Sequence, residues 1–288
     1  MEILVAYARL PAAELYHVSG TGVAAGFGRA LVFLDFPVAL AALAVLLLVL
    51  DGAAGRVATA GCALAGALCA VVFWPGVVDQ ADLDARPINA LPALGVGLTL
   101  GYVLASARLP RAHLRREHGD AARIAAACAL IVLALPWIAA DLGFSFDGVP
   151  VLGTLFQTGE LRRQPGSPAL HPAVHHGHHH GMDGTLLVLT ALLLSRTLGR
   201  LRSRAVRRVL SGYLALMLCY GLGNVANDAW LEQVVKRGWT SWSIPDVTEP
   251  RLSAAWGIIV ACALAIWLGG EWTRRRGERP RAAPALGP

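Results

Sequence analysis

Long apolar runs broken by short polar blocks recur along the whole chain. Stretches at residues 30–50, 57–78, 90–107, 122–142, 185–198, 205–226 and 252–270 are dominated by Ala, Leu, Val and Gly. A helix needs roughly 20 such residues to cross about 30 Å of hydrocarbon, and most of these runs reach that length. The fifth is short, so a full span there has to extend back through Gly184 or forward past Arg200. Little period-two alternation is visible, which favours helices over a membrane barrel. The pattern predicts an all-α, polytopic integral membrane bundle of about seven transmembrane helices. It forms one domain over residues 1–272, followed by an Arg- and Pro-rich cytoplasmic tail at 273–288. Small residues four apart, as at Gly61, Ala65 and Cys69, permit close helix contact.

Composition agrees with this pattern. Of the 288 residues, 56% are hydrophobic and only 15% charged, against about 25% charged in a typical soluble domain. Too little polar surface remains to cover a water-soluble globule, so the apolar excess has to face lipid. Residues 1–28 contain Glu2, Arg9, Glu14 and His17 and lack a positive segment followed by an apolar core. The first long run is therefore expected to remain in the mature protein.

Charge sets the expected orientation. The segments 108–123, 196–208 and 274–281, together with Arg56, hold 17 of the 25 basic residues, whereas the intervening segments hold eight. By the positive-inside tendency the Arg-rich segments are cytoplasmic. With seven spans, the N-terminus then lies outside and the C-terminus inside the cytoplasmic membrane. The net charge of +6 does not point to nucleic acid, because the basic residues flank apolar runs instead of lining one groove-binding face. Lys236 is the only lysine. Cys62, Cys69, Cys128, Cys219 and Cys262 all lie in apolar runs without C-x-x-C spacing, so no disulfide framework or thiolate zinc site follows. Trp239, Trp242 and Trp256 fit an interfacial aromatic belt.

The chemistry-bearing residues concentrate on the expected outer side. Six of the nine histidines, His171, His175, His176, His178, His179 and His180, fall within ten residues just before the fifth span. Neutral imidazole is a strong ligand for transition metals. On a helix His171, His175 and His179 would share one face, as would His176 and His180, although Gly177 and Gly181 weaken a continuous helix. Asp183 follows His179 by four residues and suits either a ligand or a carboxylate that orients an imidazole. His17 could complete such a site. Asp35 stands inside the first span, where a carboxylate costs on the order of 2.5–3.5 kcal/mol and normally faces a partner or a wet cavity. Asn224, Asp228 and Glu232 repeat every four residues on one helix face near the end of the sixth span.

These residues suggest a membrane-embedded, metal-dependent enzyme centred at the outer leaflet. Its cofactor would be a transition-metal ion, zinc before iron or copper, held by the histidines. Asp228 or Asp35 would act as acid/base or additional ligand toward a lipid or amphiphilic substrate. The alternative from the same residues is a copper- or zinc-binding or transport protein of the cytoplasmic membrane.

Overall fold

The computed structural model describes residues 34–52, 55–74, 77, 86–105, 117, 119–141, 150–151, 161–163, 170–172, 179–245, 247 and 252–277. Within them the chain forms a helical membrane bundle. A π-helical turn at Leu34–Val38 runs into α1 (Ala39–Gly52), and α2 (Arg56–Ala70) ends in a 3-10 turn at Val71–Phe73. A second 3-10 turn, Pro87–Asn89, opens α3 (Ala90–Ala105), and α4 covers Asp120–Asp141. Strands β1 (Leu161–Arg163) and β2 (Leu170–Pro172) pair antiparallel, with Arg162 opposite His171. Then follow α5 (His179–Ser195), α6 (Arg204–Trp230) with a π-helical turn at Leu231–Val235, and α7 (Ala254–Gly277).

Six helical stretches among the described residues are long and apolar enough to cross a membrane: Asp35–Gly52, Arg56–Phe73, Pro87–Ala105, His180–Arg200, Arg204–Val235 and Ala254–Arg274. At the expected fourth span stands α4, whose 22 residues rise about 33 Å. The fifth span gains its length backwards, into the histidine run. The sixth extends nine residues past its expected end at 226 and so takes Asp228 and Glu232 inside the helix. Helix α7 runs to Gly277, over the first residues of the expected tail, where Arg274 pairs with Glu271 one turn earlier.

The centre of the bundle is α6, which packs on α5, α7 and α1, while α1, α2 and α3 pack together and α4 leans on α5. The α5–α6 pair is antiparallel and touches backbone to backbone at Gly184 and Gly221. A Cβ on Gly184 would stand 2.5 Å from the Gly221 carbonyl oxygen, and one on Gly221 would stand 2.7 Å from that of Gly184. Only glycine permits this approach, the small-residue contact typical of membrane helices. The stripe expected on α2 works the same way, since a Cβ on Gly95 of α3 would lie 2.7 Å from the Cys69 amide nitrogen and 3.0 Å from the Ala65 oxygen. Leu40, Leu187, Leu210 and Met217 fill the core between α1, α5 and α6. Outward-facing Leu94, Leu104, Val132, Ile258 and Leu268 are exposed, as a lipid-facing surface requires. Trp239 and Trp242 are exposed, in keeping with a belt, but Trp256 is half-buried and stacks on Tyr220 at 5.3 Å.

The two ends of the bundle differ. At one end arginines pair with acids between elements: Arg196 with Asp120 at 2.9 Å, Arg200 with Glu117 at 2.8 Å and Arg208 with Glu271 at 3.8 Å. Asp51 accepts hydrogen bonds from the Arg202 and Ser203 backbone amides there, both at 2.8 Å. The segments expected to share one side thus do share one end. The opposite end holds a set of buried polar side chains.

Candidate functional site

At that opposite end Asp35, Asn89, Asp183, Thr185, Asn224, Asp228 and Glu232 are all buried. The four-residue repeat on α6 explains three of them. Asn224, Asp228 and Glu232 lie on one face, and that face turns inward, each residue being at most 3% exposed. Asn224 closes its own turn, donating from Nδ2 to the Tyr220 carbonyl at 3.0 Å. At Glu232 the helix has widened into its π turn, and Lys236 Nζ meets Glu232 Oε1 at 2.7 Å. A π turn inserts one residue into the helix, so it re-aims the side chains that follow it.

Asp228 faces the first turn of α5. The Gly181 backbone N–H is directed at its carboxylate, and His180 and Lys236 lie within electrostatic reach. A Cβ at position 181 would stand 2.5 Å from Asp228 Oδ2 and equally close to the Trp137 ring of α4. Three helices thus converge on a position where only a hydrogen atom fits. The first four amides of a helix have no carbonyl partner within it, and the N-terminus carries partial positive charge. A carboxylate delivered from α6 therefore suits the place, and it brings His180, with its buried Nδ1, beside Asp228. Thr185 closes the next turn, its Oγ1 donating to the Gly181 carbonyl at 2.8 Å. Asp183 lies in the same helix, one turn after His179, and is 5% exposed.

Asp35 has a different neighbourhood. It sits in the π turn that carries Pro37, which lacks a backbone donor. Arg86 and Asn89 face it, yet neither carboxylate oxygen reaches hydrogen-bond geometry with any described residue. Arg86 Nη2 and Asn89 Nδ2 both donate to the Val77 carbonyl, at 3.0 and 3.2 Å. Val77 and Ile88 in turn line an apolar groove of about 770 Å³ with Phe73 and Trp74.

The histidine run begins off the helix. His171 lies in β2 opposite Arg162, so it does not share a helix with His175 and His179. Pro172 accounts for this, since it has no N–H and disfavours helix in the residue before it. Helix α5 begins at His179, and His180 follows as its second residue. His17, His175, His176 and His178 lie outside the described residues, as do the side chains of His171 and His179. Among the described residues no three His, Cys, Asp or Glu side chains are grouped so as to hold a metal ion.

Sequence reasoning assigned no site role to Gly181, Trp137, Arg86 or Lys236. Only Lys236 carried a local signal, the four-residue spacing from Glu232 that suits an ion pair on a helix. No family model matches the chain, and no curated protein or solved structure matches it either.

Proposed function

We propose that this chain is a membrane-embedded, metal-dependent enzyme whose centre lies where α5 begins and α6 ends. The reading places that end outside the cytoplasmic membrane, on the strength of the 17 of 25 basic residues in segments assigned to the other side. The observation that carries the proposal is the placement of the buried Asp228 carboxylate against Gly181 at the start of α5, within electrostatic reach of His180. A metal-bound histidine usually directs its second ring nitrogen to a carboxylate, which fixes its orientation and raises its basicity. His180, with His175, His176, His178 and His179 immediately before it, would hold a transition-metal ion, zinc before iron or copper. His171, His17 and Asp183 are the further ligand candidates. When bound, such an ion supplies Lewis acidity and a water of lowered pKa.

In this reading Asp228 orients the imidazole and moves a proton to or from the substrate. Asp35, beside Arg86 and Asn89, handles the polar head of a lipid or amphiphile. The apolar groove at Val77 and Ile88 supports that substrate class, because it offers room for a chain beside the residues that face Asp35. A chelator-competition titration tests the proposal. Asp228→Asn should weaken metal affinity about 10- to 100-fold and abolish turnover while leaving the protein folded. Unchanged affinity in that variant would remove Asp228 from the site.

A further inference from the structure

A second amphipathic site lies at the Arg-rich end, between α4 and α5. It is a groove of about 430 Å³ whose mouth is formed by Asp120, Arg123 and Arg196. Below them Ile124 and Ala127 of α4 face Leu189, Leu192 and Leu193 of α5 across an apolar floor. Residues 189, 192, 193 and 196 occupy one helix face, so the leucines run continuously down from Arg196 for about 10 Å. Both guanidinium groups are anchored. Arg123 donates from Nε to Ser195 Oγ at 3.0 Å and from Nη1 to Asp120 Oδ1 at 3.1 Å, and Arg196 Nε lies 2.9 Å from that same oxygen. Both guanidinium groups therefore converge on Asp120 at the rim. The arginine side chains are about a quarter exposed, whereas Asp120 is more deeply held beneath them.

We infer that this groove binds an anionic phospholipid, with its phosphate on Arg123 and Arg196 and one acyl chain against the leucine face of α5. Three observations favour that occupant. The groove opens on the flank of a membrane bundle, where acyl chains are the solvent. Its two arginines sit at the end of the span, at headgroup depth, with the apolar floor running inward from them. Guanidinium matches the planar pairs of phosphate oxygens and is more weakly hydrated than ammonium. Basic pockets between spans, at the boundary where arginines gather, suit lipid phosphate for the same reason.

The test is native mass spectrometry of the purified full-length chain titrated with phosphatidylglycerol or with phosphatidylcholine of the same acyl chains. One phosphatidylglycerol should bind with about tenfold preference, equivalent to about 1.4 kcal/mol. Combined Arg123→Gln and Arg196→Gln should erase the preference. Asp120→Asn removes the opposing charge and should strengthen it severalfold, an outcome that a merely structural ion pair would not give. Ala127→Trp fills the floor without touching charge and should weaken binding of both lipids. Equal retention of the two lipids by the wild type would overturn the inference. So would a preference that survives loss of both arginines, or displacement of the lipid by inorganic phosphate alone.

Discussion

Gly181 of α5 leaves the space that the Asp228 carboxylate of α6 occupies, for a methyl group there would stand 2.5 Å from Oδ2. The same methyl group would strike Trp137 of α4, so neither neighbour can yield without disturbing another helix. Gly181→Ala is expected to destabilise the bundle by about 1–3 kcal/mol, the usual range for overpacking a filled interior. Asp228→Asn keeps the shape and should leave the unfolding temperature nearly unchanged. Thermal unfolding of both variants in detergent checks this, and equal tolerance of Gly181→Ala would deny the close contact.

Lys236 is the only lysine in a chain that otherwise uses arginine, and it pairs with a carboxylate that is 1% exposed. Removing one partner of a buried pair leaves a charge in a poor solvent. Lys236→Gln should therefore cost on the order of 3 kcal/mol, and adding Glu232→Gln should restore much of the loss. Denaturant or thermal unfolding of the single and double variants measures it. Additive losses would show that the two side chains do not stabilise one another.

The spans were legible because apolar length is a strong signal, and among the described residues a helix stands in each of the seven runs, six of them long and apolar enough to cross a membrane. The inward face of α6 was also legible, since Asn224, Asp228 and Glu232 keep the helical period. What local sequence lacked was contact across helices. Nothing beside Gly181 announces that Asp228, 47 positions later, needs its missing side chain. The Arg86–Asn89 pair facing Asp35 depends on how α3 starts against the turn before α1. His171 illustrates the opposite case: spacing would give it a helix face with His175 and His179, whereas Pro172 beside it pointed to the extended backbone it adopts. Trp256 read as an interfacial residue because its partner, Tyr220, lies on another helix.

Orientation follows from charge and has its own check. A reporter active only in the cytoplasm, fused after Gly277, should be active, and one active only outside should be silent. The reverse pattern would put the His180–Asp228 end in the cytoplasm and contradict a centre at the outer leaflet.

Metal content tests the central claim most directly. Elemental analysis of the detergent-purified full chain, after mild chelation, should find about one tightly held transition-metal ion per chain, with zinc the leading candidate. Replacing His175, His176, His179 and His180 together should remove it from protein that still unfolds cooperatively. Metal that washes away under mild chelation, or that remains after this replacement, would contradict a metal-dependent centre at the start of α5.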